Sequence, residues 1–157
     1  MIESFYEAEF KALNKHKIRY LIIGGVAVNL YGLHRLTRDL DLMIDLSKEH
    51  FEQFIEVMRK LGYKSKVPKT KWAKCSAVAF HNLKEEDKRI DVFLHNPIDF
   101  NEAYKKRKLF KCKGFSISCV SIDDLITMKD KADRIRDWID VGSLKRIMEI
   151  KHNEIKR

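Results

Sequence analysis

The sequence predicts an α/β protein of the α+β kind: a mixed β-sheet flanked by helices, with a helical pair at its C-terminal end. Three observations predict it. Short apolar or alternating runs, such as Tyr20 to Ile23 and Arg89 to His95, have the length and period of strands. Segments of helical spacing lie between them, most clearly from Lys48 to Leu61. From Ser121 onward the signals are helical. A length of 157 residues, with no repeat, low-complexity tract or linker, fits one domain spanning 1–157 and leaves little room for a separate substrate-binding domain.

The elements follow in order. Phe5, Ala8 and Leu13 recur at helical spacing, so an opening helix is expected from Ile2 to about Lys15. Tyr20 to Ile23 is apolar throughout and reads as a buried strand. Gly24 and Gly25 read as a turn, Val26 to Tyr31 as a short helix, and Leu40 as the return to a strand that continues to Ile44. Ser47 should cap a helix with Phe51, Phe54, Ile55 and Met58 facing inward, and Gly62 should end it. Ser76 to Phe80 and Arg89 to His95 read as a hairpin around the polar turn Leu83 to Lys88. Pro97 and Asp99 open a helix ending in the basic run Lys105 to Lys108, and a second hairpin turns near Gly114. Ser121 with Asp124 forms a capping-box pattern, and Val120 with Leu125 a hydrophobic staple, so a helix begins there and carries Met128 inward. A last helix contains Asp137 and Asp140, whose spacing of three puts them on one face.

The formal net charge of +9 points to an anionic partner, whether nucleotide, nucleic acid or acidic protein. The bias is local as well as global. Between Val57 and Lys84 there is no acidic residue, while Arg59, Lys60, Lys64, Lys66, Lys69, Lys71 and Lys74 gather around Tyr63 and Trp72. Lysines interleaved with aromatics suit a nucleic-acid backbone with stacked bases, and equally suit a lysine-rich edge that discourages strand aggregation. Cys75, Cys112 and Cys119 lack metal-ligand spacing and read as reduced thiols. No apolar stretch approaches a membrane span, and the acidic, amphipathic N-terminus is unlike a secretory signal, so no membrane association and a cytoplasmic location are expected.

The chemistry concentrates between Gly24 and Leu42. Glycines at a helix N-terminus let backbone N–H groups approach an anion such as phosphate. Asp39 and Asp41 alternate with Leu40 and Leu42, which places both carboxylates on one face of a strand. Carboxylates completed by substrate phosphates and water are the ligands magnesium favours. An isolated Asp-Leu-Asp would read as a solvated strand face; the glycine pair upstream argues otherwise. Asp91, alone among Ile90, Val92 and Leu94, would by itself read as the exposed half of an alternating strand.

The pattern of strand, Gly24-Gly25, short helix and Asp39-x-Asp41 resembles the signature of the nucleotidyltransferase superfamily that includes DNA polymerase beta. Gly32, Arg35 and Thr37 are similar to the small bacterial nucleotidyltransferases related to abortive-infection type IV toxins, and more distantly to some antibiotic nucleotidyltransferases. That resemblance implies the nucleotidyltransferase fold and a third carboxylate from a neighbouring strand, for which Asp91 is the well-placed candidate. It implies a catalytic and metal-binding set of Asp39, Asp41 and Asp91 holding two Mg2+ ions, with a nucleoside triphosphate (NTP) as substrate. Gly24, Gly25, Arg38 and Lys129 would bind the nucleotide, while Arg35 and Thr37 hold the loop in shape. Asp137 and Asp140 match a downstream part of the same nucleotide site. RNA, and tRNA in particular, is the favoured acceptor, with protein and antibiotic hydroxyls as alternatives; the short C-terminal region departs from the antibiotic enzymes in leaving no separate domain for a drug. A cognate toxin or antitoxin partner, or a non-catalytic binding module of the same fold, are the other readings.

Overall fold

The computed structural model describes residues 2–157. Its centre is a seven-stranded mixed sheet in the order β3-β4-β5-β2-β1-β7-β6. The strands are β1 (Tyr20–Ile23), β2 (Leu40–Ile44), β3 (Tyr63–Ser65), β4 (Ala77–Asn82), β5 (Arg89–Phe93), β6 (Lys108–Cys112) and β7 (Phe115–Cys119). β2 is antiparallel to β1 and parallel to β5. The hairpins β4–β5 and β6–β7 extend the sheet on either side, β7 joining β1 in parallel. β1 is buried along its whole length, which explains its unbroken apolar sequence.

The opening helix is two helices, α1 (Ile2–Phe5) and α2 (Glu7–Lys15), because Tyr6 leaves helical geometry and turns fully into the core. There its hydroxyl lies 3.0 Å from the carbonyls of both Arg38 and Arg89 and accepts from the Arg89 N–H at 3.2 Å. One side chain thus ties together the entries to β2 and β5. Burial pushes its phenol up to about 12, so it stays a neutral hydrogen-bonding group.

α3 (Gly24–Leu30) starts at the glycines themselves, so the strand turns into the helix at Gly24 without an intervening loop. Gly24 has φ +68°, a conformation that favours glycine. α4 (Lys48–Lys60) buries Phe54, Val57 and Met58, while Phe51 and Ile55 pack at the edge of the core. Its end at Gly62 has φ +90°. α5 (Phe100–Lys105) is capped by Asp99, whose carboxylate accepts from the Glu102 N–H at 2.8 Å.

α6 (Ile122–Ala132) is capped by Ser121, which accepts from the Asp124 N–H at 3.2 Å, with Val120 and Leu125 both buried beside it. Asp124 turns to Lys106 at 3.1 Å, leaving one half of the capping box. α7 (Ile135–Ile155) packs along α6 and completes the C-terminal pair. Among the described residues, no helix is long and apolar enough to cross a membrane.

Candidate active site

The parallel pairing of β2 with β5 sets Asp41 directly opposite Asp91. Their carboxyls lie close enough for the charge of one to act on the other, and both line an open cleft of about 660 Å³ together with Asp39 and Gly25. β2 begins at Leu40, so Asp39 stands one residue ahead of the strand rather than on it. It still opens onto the same cleft. The Arg89 side chain lies between the outer two acids, its Nε 2.9 Å from Asp91 and 4.0 Å from Asp39.

The electrostatics single out Asp41. Burial pushes its carboxyl up, the charge of Asp91 and the hydrogen bond to it push further, and Asp39 adds to them; the Lys129 charge opposes, leaving a value of about 7. The negative charge crowded around the Asp41 carboxyl is of the kind a hard divalent cation would relieve. Among the described residues, no group of three or more His, Cys, Asp or Glu side chains is already arranged to hold a metal ion. Asp41 and Asp91 stand together, whereas Arg89 separates Asp39 from them. The oxygen donors and their charge are of the kind such a cation takes, and the Arg89 side chain now stands beside two of them.

Gly24 is shaped by its neighbour. A Cβ built there would stand 2.2 Å from the Asp41 Oδ2, and one at Gly25 would press on Thr37 and Arg35 at 3.0 and 3.1 Å. Gly24→Ala therefore combines a left-handed backbone, costing about 1–2 kcal/mol, with expulsion of the Asp41 carboxylate. The expected result is a folded but less stable protein with little activity, read by thermal melting and a transfer assay side by side. A melting temperature and activity equal to the parent's would contradict this role for Gly24.

Arg35 is fixed within the loop that leads to Asp39. Asn29 of α3 clasps the Arg35 backbone from both sides, accepting from its N–H at 3.1 Å and donating to its carbonyl at 2.8 Å. The Arg35 guanidinium donates to Asp140. Asp140 and Asp137 are buried on the face of α7 that meets α6, and Lys129 lies between them at 3.0 and 3.3 Å. Lys129 is itself only 5% exposed. It is the centre of an ion-pair chain that runs Arg35, Asp140, Lys129, Asp137, Arg134, not a cation held out to solvent. Burial would raise the Asp137 carboxyl, but hydrogen bonds from Arg134 and Lys129 outweigh it and hold the group below its ordinary value.

Arg38 is exposed on the cleft, as is Arg136, and neither makes a salt bridge among the described residues. Arg136 and Arg134, which line the cleft from the start of α7, are not among the sequence-predicted site residues. Neither is Arg89. A smaller recess of about 240 Å³, lined by Ile23, Gly24, Phe93, Leu125, Met128 and Lys129 among others, lies beside the cleft and shares Phe93 and Arg134 with it.

The expected stacking aromatics are absent from the surface. Tyr63 is buried with its hydroxyl on Glu9 at 3.0 Å, and Trp72 is buried edge-on against Phe51 and Phe80. Core packing claims both. The run Lys105 to Lys108 is likewise dispersed: Lys105 pairs with Glu102, Lys106 with Asp124, Arg107 stacks on Tyr104, and Lys108 lies over Tyr31 and Phe110.

The model of a family described as nucleotidyl transferases of unknown function (DUF2204) matches residues 3–157. The chain belongs to this nucleotidyl transferase family. No curated protein matches it. Among solved structures, the lincomycin-bound lincosamide antibiotic adenylyltransferase LnuA superposes with a TM-score of 0.63 at 23% identity, over 92% of this chain and 96% of that one. An antigenic nucleotidyltransferase-like protein from Paracoccidioides brasiliensis gives 0.62 at 13% identity, over 95% and 76%. ANT(2″)-Ia in complex with adenylyl-2″-tobramycin gives 0.57 at 15% identity, over 96% and 94%. These likenesses establish the nucleotidyltransferase fold for the DUF2204 chain. This chain covers 96% of the LnuA chain and 94% of the ANT(2″)-Ia chain, so its C-terminal region is not short beside theirs, contrary to the expectation from sequence. Nothing in them bears on a toxin or antitoxin partner.

Proposed function

We propose that this chain transfers a nucleoside monophosphate from an NTP to a hydroxyl acceptor, with Mg2+ bound by Asp39, Asp41 and Asp91. The observation that carries the reading is the pairing of Asp41 with Asp91 across β2 and β5, in a cleft that also holds Asp39 and Gly25. The acceptor oxygen forms a bond to the α-phosphorus, the bond from that phosphorus to the bridging oxygen breaks, and pyrophosphate leaves with the electron pair. Bound Mg2+, as two ions where both sites fill, neutralises the triphosphate and lowers the pKa of the acceptor hydroxyl.

The chain's own residues do the rest. Asp91 takes up the acceptor proton beside Asp41. Gly24 and Gly25 present backbone N–H groups that α3 leaves without helical partners to the phosphate end. Arg38, Arg134 and Arg136 offset its charge, and the apolar recess beside Gly24 seats the base. Lys129 serves the nucleotide indirectly, by fixing α7 and moderating the charge at Asp41. The chain acts as one domain, and three free cysteines agree with a cytoplasmic location.

For the acceptor we favour an RNA end, with antibiotic and protein hydroxyls as the alternatives to be tested beside it. Incubation with α-labelled NTPs and magnesium against total RNA, host protein and a panel of lincosamides and aminoglycosides should label one fraction. Failure to label any fraction, together with no magnesium-dependent melting shift for any NTP, would overturn the reading.

A further inference from the structure

Beside the cleft, residues 66–76 form a loop whose middle is a 3-10 helix, Lys69–Lys74. Trp72 is its anchor. The indole is buried against Phe51 and Phe80, and its N–H donates to the Val67 carbonyl at 2.9 Å. The loop is therefore held from within, while Lys66, Lys69, Lys71 and Lys74 all point outward and are exposed. Lys64, on the preceding edge strand, is exposed too. None of these five makes a salt bridge among the described residues.

Protection of a sheet edge explains Lys64, because β3 is an edge strand. It does not explain Lys69, Lys71 and Lys74, which lie beyond the strand on a helix that offers no edge to protect. The rim they form is continuous with the cleft: Val67 from this same loop and Ala77, which follows it, line the cavity that holds Asp39, Asp41 and Asp91. Arg38 and Arg136 carry free positive charge onward inside it. Unneutralised cations spaced along a pinned loop match the repeating charge of a phosphodiester backbone. With both aromatics buried, such a surface reads charge and not base identity.

We infer that the loop 66–76 is a docking rim for a polynucleotide acceptor, which lies along Lys66, Lys69, Lys71 and Lys74 and delivers its terminal hydroxyl to Asp91. The inference rests on the transferase reading for the meaning of that delivery, but not for the binding itself. Anisotropy of a labelled single-stranded RNA, of a labelled tRNA and of a DNA of the same length tests it with the full chain, against the variant Lys69→Glu/Lys71→Glu/Lys74→Glu. Four phosphate contacts to a single strand give a logarithmic salt slope of about −3, so parent affinity should fall roughly fiftyfold between about 50 and 200 mM salt.

The variant should lose at least about tenfold in affinity at the lower salt and show a flattened slope, while its NTP- and magnesium-dependent melting shift matches the parent's. The RNA and DNA arms decide which polynucleotide is held. Parent and variant binding equally, or a parent that binds an acidic polypeptide but no polynucleotide, would overturn the rim and leave the transferase reading standing. A parent that binds RNA through these lysines yet shows no NTP-dependent shift would overturn the transferase reading and leave the rim.

Discussion

Asp41→Asn should reduce nucleotidyl transfer by at least about a hundredfold and, in the presence of chelator, make the protein more stable at alkaline pH than its parent. The first half follows from the site. Loss of an outer partner of a metal ligand commonly costs about 10–100-fold, and Asp41 would be a ligand itself. The second half follows from burial beside Asp91. In the folded chain the Asp41 carboxyl is raised from its ordinary 3.8 to about 7, so the native state holds a proton that the unfolded chain has released.

The contribution is favourable below pH 3.8 and is lost progressively as pH rises through about 7. At its upper bound the loss is roughly 4 kcal/mol. Asparagine cannot ionise and can still hydrogen-bond to Asp91, so it removes that loss. Urea denaturation of both proteins at pH 5 and pH 8 in chelator is the measurement: the parent's stability should drop between the two, and the variant's should drop less by a few kcal/mol. Identical changes for the two proteins would show that the carboxylates are not crowded. Added magnesium should restore the parent at pH 8 and leave the variant nearly unmoved, because binding to the folded state alone stabilises it.

The sequence made much of this site readable because its decisive signals are local. Gly24, Gly25, Asp39 and Asp41 fall within a stretch of eighteen residues. Period-two alternation was enough to orient Asp41 and Asp91 in their strands. Arg89 was hidden by the same rule that revealed Asp91. Two residues earlier on the same strand, it looks like an ordinary surface cation until the β2–β5 register brings Asp39 within reach. Tyr6 was hidden because helical spacing absorbed it, whereas its hydroxyl serves two strand entries 32 and 83 residues away.

The aromatics Tyr63 and Trp72 misled for a related reason. Composition counts a tyrosine or tryptophan among lysines as a stacking surface, but period and anchoring decide which way each points. Tyr63 and Lys64 alternate across β3, and the aromatic takes the inner face. In the loop, Trp72 turns inward past the lysines on either side of it. The charge survived as a surface property; the stacking did not.

Lys129→Met should destabilise the protein by about 3 kcal/mol, at the low end for breaking a buried ion pair, because Arg134 and Arg35 continue to hold one carboxylate each. The question it settles is whether Lys129 grips phosphate or organises the helices. Two of the three N–H donors of Lys129 face buried acids at 3.0 and 3.3 Å, and the residue is only 5% exposed, so it is poorly placed to reach a phosphate in the open cleft. If it organises, then removing the acids along with the lysine relieves the cost. Lys129→Met/Asp137→Asn/Asp140→Asn should recover most of the lost stability and bind NTP within a few-fold of the parent.

Arg136→Ala is the contrasting case. Arg136 is exposed in the cleft, so its loss should leave the melting temperature unchanged and weaken NTP binding by about tenfold or more, the equivalent of one charge-assisted hydrogen bond of roughly 1.5–3 kcal/mol. Calorimetric titration of NTP into the four proteins separates the two roles. If the triple variant folds as stably as the parent yet fails to bind NTP while Arg136→Ala binds normally, Lys129 contacts the triphosphate after all and the ion-pair chain must open on nucleotide binding. Recovery in the triple variant, with loss in Arg136→Ala, assigns the phosphate charge to the exposed arginines and leaves Lys129 as the residue that holds α6, α7 and the Asp41 carboxylate in their mutual positions.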